Sequence, residues 1–371
     1  MKGKIKVLWV TNALGCGGAE RQMLYMYNIL QKYCNFDITI MYYARVGDEL
    51  NLDGVKTVYI DKAGKGKIYT IRQIAKYIKE HDIDIMHSFG GGTANIYGRL
   101  AALCNRKTVS VGAMLGKRHF AKAGIRCANS LLNLFGNWWT VNNMELVPIL
   151  KRELRFVSDD RVVMLHNGFV PAEQVDYRHG EWTEYDEDKQ NYVVFSVMGR
   201  LEPIKNYPLF IKAAAEIANR HDHVRFWIIG NGKESEKLKQ LAQQCGVSDR
   251  IRFWGYRTDI DVALSRCDVF VQTSFTEGSP NTIAEAMRAR KPIISTNSTD
   301  LSEMIIQGEN GFVVENDNLS GLVEAMEAML QKDCHQLECA GERSYELFEK
   351  YFLGKRVSAE FEAFYNKIMQ K

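Results

Sequence analysis

Short apolar runs of strand length alternate with helix-length stretches along almost the whole chain, and this alternation constrains the architecture more than any other feature. The runs fall near residues 4–10, 36–42, 56–60, 84–88, 107–111, 138–142 and 161–165, and then near 191–198, 224–229, 251–254, 268–272, 292–295 and 311–314. A near-continuous apolar strand is one covered on both faces, and strands that alternate with helices pair in parallel. The sequence therefore predicts an α/β protein with doubly wound parallel sheets. Two sheets are expected, because 371 residues exceed one core of usual size and the pattern restarts after a polar, acidic stretch without clear period. That stretch, residues 172–189, reads as a surface linker between a first domain of residues 1–171 and a second of 190–351. Phe348, Phe352, Phe361 and Phe364 give the last helical stretch more aromatic surface than one small domain needs. Residues 352–371 are accordingly expected to pack back on the first domain.

Charge separates the two halves. Residues 1–170 hold 24 Lys+Arg against 13 Asp+Glu, whereas the remainder holds 24 against 32. A basic half without a nucleic-acid motif suits an anionic membrane surface or an acidic substrate, or is simply a solvated basic surface, and no nucleic-acid partner is expected. The eight cysteines are scattered with no C-x-x-C pair, which argues for reduced thiols in a cytoplasm and against a zinc site or disulfide framework. Met1-Lys-Gly-Lys-Ile-Lys runs straight into the first strand pattern, so no signal peptide is expected. No apolar run approaches the ~18 residues of a bilayer span.

Phe275 to Met287 packs a strand end, a turn, a helix start and two carboxylates into one stretch. Ser279 reads as the N-cap and Pro280 as the first helical residue. The helix would begin at the carboxyl end of a strand, where free N–H groups and the positive dipole end suit a phosphate, and Gly278 lets a ligand approach the backbone. Glu277 and Glu285 are poorly suited to the phosphate itself and well suited to accept hydrogen bonds from neighbouring hydroxyls. A phosphate with hydroxyls on both sides is a nucleotide sugar. An ordinary strand–turn–helix unit with solvated glutamates would present the same residues.

Other loops fit the same geometry. Gly199-Arg200 and Lys205 follow a strand and precede a helix, and two cations there could clamp a diphosphate and neutralise charge as it leaves. Gly230-Asn231-Gly232 is a further strand-end turn, available to grip a base or merely to turn the chain. Gly15-Cys-Gly17-Gly18-Ala-Glu20 resembles a dinucleotide fingerprint, but its sixth position is Glu20 and the second strand offers no acid for a ribose, so NAD is not expected. Asp82-Ile-Asp84 and Asp259-Ile-Asp261 match the Asp-x-Asp pattern of metal-dependent transferases, yet open a strand and a helix where Asp is routine.

Gly17-Gly18-Ala19-Glu20, Gly199-Arg200 with Lys205, Gly230-Asn-Gly232 and Glu277-x7-Glu285 followed by Lys291-Pro-Ile occur in the order and spacing seen in glycosyltransferase family 4, which the chain resembles over nearly its whole length. The resemblance implies a GT-B fold, two Rossmann-like domains facing across a cleft, and retaining transfer of a hexosyl group from a UDP- or GDP-sugar to a glycan or lipid-linked saccharide. It implies that Arg200 and Lys205 contact the diphosphate, that Glu285 meets the ribose and Glu277 the donor sugar, and that the backbone around Gly278, Ser279, Pro280, Asn281 and Thr282 faces phosphate and sugar. Gly17, Gly18, Glu20, Gly199 and Gly230 would complete the substrate-binding set. Arg200 and Lys205 together would make a metal unnecessary, and neither metal nor cofactor is expected beyond the donor itself. A sugar-nucleotide-binding protein without turnover and a GT-B epimerase are the alternatives.

Two places depart from the family pattern. Many relatives carry a His after the strand equivalent to Thr108–Val111, where this chain has Gly112-Ala113-Met114; His87, at another strand end, is left either lining the cleft or serving the core. Asn206 stands where Gly is frequent. The segment 117–139 places Arg118, Lys122 and Arg126 on one flank and Ile125, Leu131, Leu132, Phe135, Trp138 and Trp139 on the other. Such a helix either lies on an anionic membrane or packs its apolar side on the sheet. A cytoplasmic enzyme, peripheral at the inner face of the membrane in the first case, is the resulting expectation.

Overall fold

The computed structural model describes residues 4–15, 17–45, 50–117, 120, 122–177 and 183–370. The chain divides into two compact units, Met1–Val170 with Leu353–Lys371, and Pro171–Phe352.

Unit 1 alternates strand and helix as β1 (Ile5–Ala13), α1 (Gly18–Tyr33), β2 (Phe36–Ala44), β3 (Thr57–Tyr59), α2 (Lys67–Glu80), β4 (Ile85–Ser88), α3 (Gly92–Leu103), β5 (Val109–Met114), α4 (Ala123–Asn133), β6 (Trp138–Val141), α5 (Leu146–Glu153) and β7 (Val162–Met164). Its seven strands are all parallel in the order β3-β2-β1-β4-β5-β6-β7, with Trp9 of β1 opposite Ile40 of β2 and His87 of β4. Both faces of β1 are buried: Val7 and Trp9 enter one core with α1, while Leu8 and Val10 enter another with α2 and α3. That double burial is why the strand reads as unbroken apolar sequence.

Unit 2 runs α6 (Thr183–Asn191), β8 (Val193–Met198), α7 (Tyr207–Ala218), β9 (Val224–Ile229), α8 (Ser235–Gln244), β10 (Ile251–Gly255), α9 (Ile260–Arg266), β11 (Val269–Gln272), α10 (Asn281–Arg288), β12 (Ile293–Thr296), β13 (Gly311–Val314), α11 (Leu319–Leu330) and α12 (Cys334–Tyr351). Six parallel strands lie in the order β10-β9-β8-β11-β12-β13. The chain then returns to unit 1 as α13 (Gly354–Met369), which buries Val357, Phe361, Phe364 and Tyr365 in the core that holds Trp9, Ile38 and Trp138.

Two stretches differ from their sequence reading. The acidic segment 172–189 carries α6 where an irregular linker was expected, residues 178–182 lying outside the described ones. Its anchor is Asp188, fully buried, which accepts a hydrogen bond from Trp227 Nε1 at 2.8 Å and forms an ion pair with Arg252 Nε at 3.0 Å. One buried carboxylate leaves no apolar period to read, so the attachment was invisible. In segment 117–139, Trp138 and Trp139 belong to β6 and not to an amphipathic helix. Leu132 turns into the core while Leu131 and Phe135 remain exposed; Arg118 lies outside the described residues.

Candidate functional site

In an open parallel sheet the strand order reverses at one point, and the loops leaving the carboxyl ends of the two strands there diverge to form a crevice. In unit 2 that point lies between β8 and β11, so it is framed by the loop Gly199–Asn206 and the loop Thr273–Pro280. The loops are fastened together: Phe275 N donates to the Ile204 carbonyl at 2.9 Å and Thr273 Oγ1 to the Lys205 carbonyl at 2.9 Å. Lys205 Nζ then meets Glu277 Oε1 at 2.6 Å, with side chains 23% and 16% exposed. The Glu277 backbone is fixed separately by its N–H to the Ser298 carbonyl at 3.1 Å.

Local conformation explains several residue types here. Asn206 sits at φ 48°, ψ 43°, left-handed, a region that Asn tolerates better than other side-chain-bearing residues. Its amide donates to Asp317 Oδ1 at 3.2 Å. Gly230 has φ 141°, and a Cβ there would collide with the Gly199 carbonyl oxygen. The N–H of Gly230 is given to Gly255 O at 2.8 Å and that of Gly199 to Ile229 O at 3.0 Å. These two glycines, read as part of the substrate-binding set, let the loops of β8 and β9 interlock. Their N–H groups are spent inside the protein.

The α10 start differs by one residue from its sequence reading. The helix begins at Asn281 and Pro280 is the N-cap, with no side-chain cap hydrogen bond. The backbone N–H groups of Gly278, Ser279 and Thr282 have no partner among the described residues. They form the donor end of an 8-residue helix immediately beside Glu277. Thr282 Oγ1 bonds Gln272 Oε1 at 3.2 Å and Thr299 Oγ1 bonds the Gly278 carbonyl at 3.3 Å, fixing the turn from both sides. Glu285 is half-buried on the same helix, one turn before buried Arg288. Burial disfavours the Arg288 charge, but Asp261 and Glu285 outweigh it and hold the guanidinium above its ordinary pKa. Arg200 is not drawn into the group: its side chain is 73% exposed and pairs with Glu202 at 3.1 Å. A pair so exposed holds Arg200 weakly and leaves it able to swing.

Unit 1 has its own reversal point, between β1 and β4. A cavity of about 320 Å³ lies there, lined by Asn12, Glu20, Met23, Phe89, Gly90 and Leu115 among others. Gly17 is the N-cap of α1, and the Glu20 carboxylate folds back over it into the space a Cβ would need. Exposed Gly18 follows. The wall formed by Phe89, Gly90 and Gly91 was missed, although three consecutive glycines between a strand and a helix were a readable signal. A Cβ on Gly90 would press on Ala94 and the Asn12 backbone.

His87 does not line this cavity. It is fully buried, with Nδ1 2.9 Å from Tyr365 Oη and Nε2 2.9 Å from Thr140 Oγ1. Trp9 Nε1 can only donate and reaches Tyr365 Oη at 3.0 Å, so the tyrosine proton goes to His87 Nδ1 and the imidazole carries its own proton on Nε2. Burial depresses its pKa to about 3, and the ring is a neutral core element binding β4 to α13. Gly112 faces the Trp139 ring so closely that a side chain there would collide with it. Three of the four Asp-x-Asp aspartates have structural partners: Asp84 accepts from Lys6 N at 2.8 Å, Asp259 pairs with Arg257 and Asp261 with Arg288.

Residues 183–346 match the family model described as Glycosyl transferases group 1. The lipopolysaccharide core biosynthesis glycosyltransferase LpsE of Rhizobium meliloti (strain 1021) is 33% identical over 149 residues, 40% of this chain and 42% of that protein. The match thus spans less than half the length of that relative. A UDP-Gal:alpha-D-GlcNAc-diphosphoundecaprenol alpha-1,3-galactosyltransferase of Escherichia coli is 28% identical over 270 residues, 68% of this chain and 67% of its own. Among solved structures, Anabaena Alr3699/HepE in complex with UDP and glucose superposes with a TM-score of 0.81 at 19% identity, covering 98% of this chain and 100% of that one. The fold is GT-B.

Proposed function

We propose that the chain is a retaining glycosyltransferase of family 4 type that moves a hexosyl group from a UDP- or GDP-sugar to a glycan or lipid-linked saccharide in cell-surface polysaccharide synthesis. The observation that carries this reading is the Lys205–Glu277 pair at the reversal point of unit 2, set against the unpartnered amides of Gly278, Ser279 and Thr282. An anion at the α10 start would receive those N–H groups and the helix dipole. Lys205, joined by Arg200 once it leaves Glu202, supplies positive charge where a departing diphosphate gathers negative charge. With Oε1 held by Lys205, Glu277 keeps its other oxygen for a hydroxyl of the donor sugar. Glu285 serves the ribose, and the cavity of unit 1, with Glu20 and Asn12 on its wall, takes the acceptor.

The relatives' names support the acceptor class: one concerns lipopolysaccharide core, another a diphosphoundecaprenol-linked sugar. UDP in the structurally similar Alr3699/HepE favours a uridine donor. Two cations at the diphosphate make a metal dispensable, and turnover is expected to survive a chelator. Among the described residues no helix is long and apolar enough to cross a membrane. A lipid-linked acceptor would place the enzyme peripherally at the cytoplasmic face.

The test is release of UDP or GDP from a panel of nucleotide sugars, with and without glycan acceptors, and the anomeric configuration of the product by NMR. Thermal stabilisation by NAD but by no nucleotide sugar would overturn the proposal, and an inverted product would overturn its stereochemistry.

A further inference from the structure

Tyr207 opens α7, and its ring belongs to the core of unit 2 with Phe195, Leu201, Phe210 and Ile228. The residue is 3% exposed, yet its hydroxyl has no hydrogen-bond partner among the described residues. Stranding a buried hydroxyl costs stability, and Phe would fill the same space without that cost. The core needs the ring and has no use for the oxygen. Where the oxygen points is fixed by Gly199, which follows β8 at φ 143° and leaves a hollow in place of a side chain. A Cβ there would lie 3.3 Å from Tyr207 Oη, and 3.7 and 4.0 Å from Lys205 Cε and Nζ. Lys205 and Tyr207 flank left-handed Asn206, whose turn brings both side chains back to Gly199. Phenol and ammonium thus rim one hollow, and the same Nζ holds Glu277 Oε1 at 2.6 Å. Burial, and after it the negative charge of Glu277, hold the Tyr207 pKa well above the ordinary 10.0. The phenol keeps its proton and has it free to donate.

A neutral donor beside an ammonium group suits an anionic oxygen, and hydrogen bonds to an ionised acceptor are the strong ones. We propose that Tyr207 is a further catalytic residue, whose Oη donates a hydrogen bond to a phosphate oxygen of the nucleotide-sugar diphosphate beside Lys205. This rests on the donor reading above and adds a group to it. Arg200 must first leave Glu202 to reach the diphosphate, whereas the Tyr207 oxygen is held in place by its buried ring and gives up no protein partner when it binds. No proton changes hands. When the bond between the anomeric carbon and the diphosphate oxygen breaks, its electron pair stays on the diphosphate, and the Tyr207 hydrogen bond strengthens with the charge that gathers there.

Tyr207→Phe in the full chain deletes the oxygen and keeps the ring. UDP and GDP are titrated calorimetrically into parent and variant, nucleotide release from the nucleotide-sugar panel is timed in both, and both are melted. The variant should melt no lower than the parent, because the hydroxyl it loses has no partner in the protein. It should bind whichever nucleoside diphosphate the parent binds at least ~tenfold more weakly, and its kcat for nucleotide release should fall at least ~tenfold. Parental affinity together with parental kcat would overturn the proposal and leave the donor reading standing. A lower melting temperature with unchanged affinity would overturn it too, by assigning the hydroxyl to the fold. Unchanged affinity for the diphosphate with slowed release would place the oxygen on the sugar and overturn the phosphate assignment. A parent that neither binds a nucleoside diphosphate nor releases one would overturn the donor reading itself, and this proposal with it.

Discussion

Neutral His87 makes the stability of unit 1 depend on pH in a way that one substitution can isolate. Its folded pKa of about 3 lies below the ordinary 6.5. Below pH 6.5 the unfolded chain therefore takes up a proton that the folded chain refuses, and stability falls as pH falls. At pH 5 the linkage costs about 2 kcal/mol relative to neutral pH, and this holds for any folded pKa well below 5. For a unit of roughly 190 residues that is roughly 4–8 °C in Tm. His87→Gln keeps an acceptor and a donor near Tyr365 Oη and Thr140 Oγ1 but cannot titrate. It should melt lower at every pH, because it loses the packing of the ring on Phe89, 4.2 Å between centroids. The gap between its pH 7.5 and pH 5 melting temperatures should nevertheless be smaller than the parent's by that amount. Scanning calorimetry at the two pH values gives the comparison. Equal gaps in parent and variant would refute the buried neutral imidazole, as would an imidazole NMR titration showing His87 charged at pH 5.

Glu277→Gln and Lys205→Ala should each lower nucleotide release from the donor at least ~100-fold while unit 2 still melts cooperatively; near-normal turnover in either would remove that residue from the proposed chemistry. Gly230→Ala combines φ 141° with a collision at the Gly199 carbonyl and should cost about 3 kcal/mol or more in urea denaturation, and a cost under ~1 kcal/mol would show that the loops yield. Asp188→Ala removes the buried carboxylate that Trp227 Nε1 and Arg252 share and should cost about 3–5 kcal/mol, with faster amide exchange along α6. Glu20→Gln should raise KM for the acceptor and leave KM for the donor unchanged; an effect on the donor alone would move the unit 1 cavity out of the acceptor role.

Periodicity and turn chemistry act over a few residues, and what they govern was legible in the sequence. The thirteen strands among the described residues fall where apolar runs predicted them, and the loops carrying Lys205 and Glu277 lie at strand ends as read. The sequence also supplied the chemistry of the candidate site, because two carboxylates, two cations and a proline-led helix start keep their character in any fold. Which of those groups meet was decided by tertiary structure. Strand order brings the β8 and β11 loops together across 72 residues of sequence, so Lys205 reaches Glu277, whereas Arg200, five residues earlier, turns to Glu202. His87 had the composition of a site residue and became core because Tyr365, 278 residues away, closes over it. Asp188 and the Gly199–Gly230 interlock were hidden for the same reason. A single buried polar contact or one backbone crossing adds no period to the sequence, and its partner is chosen only when the sheet has formed.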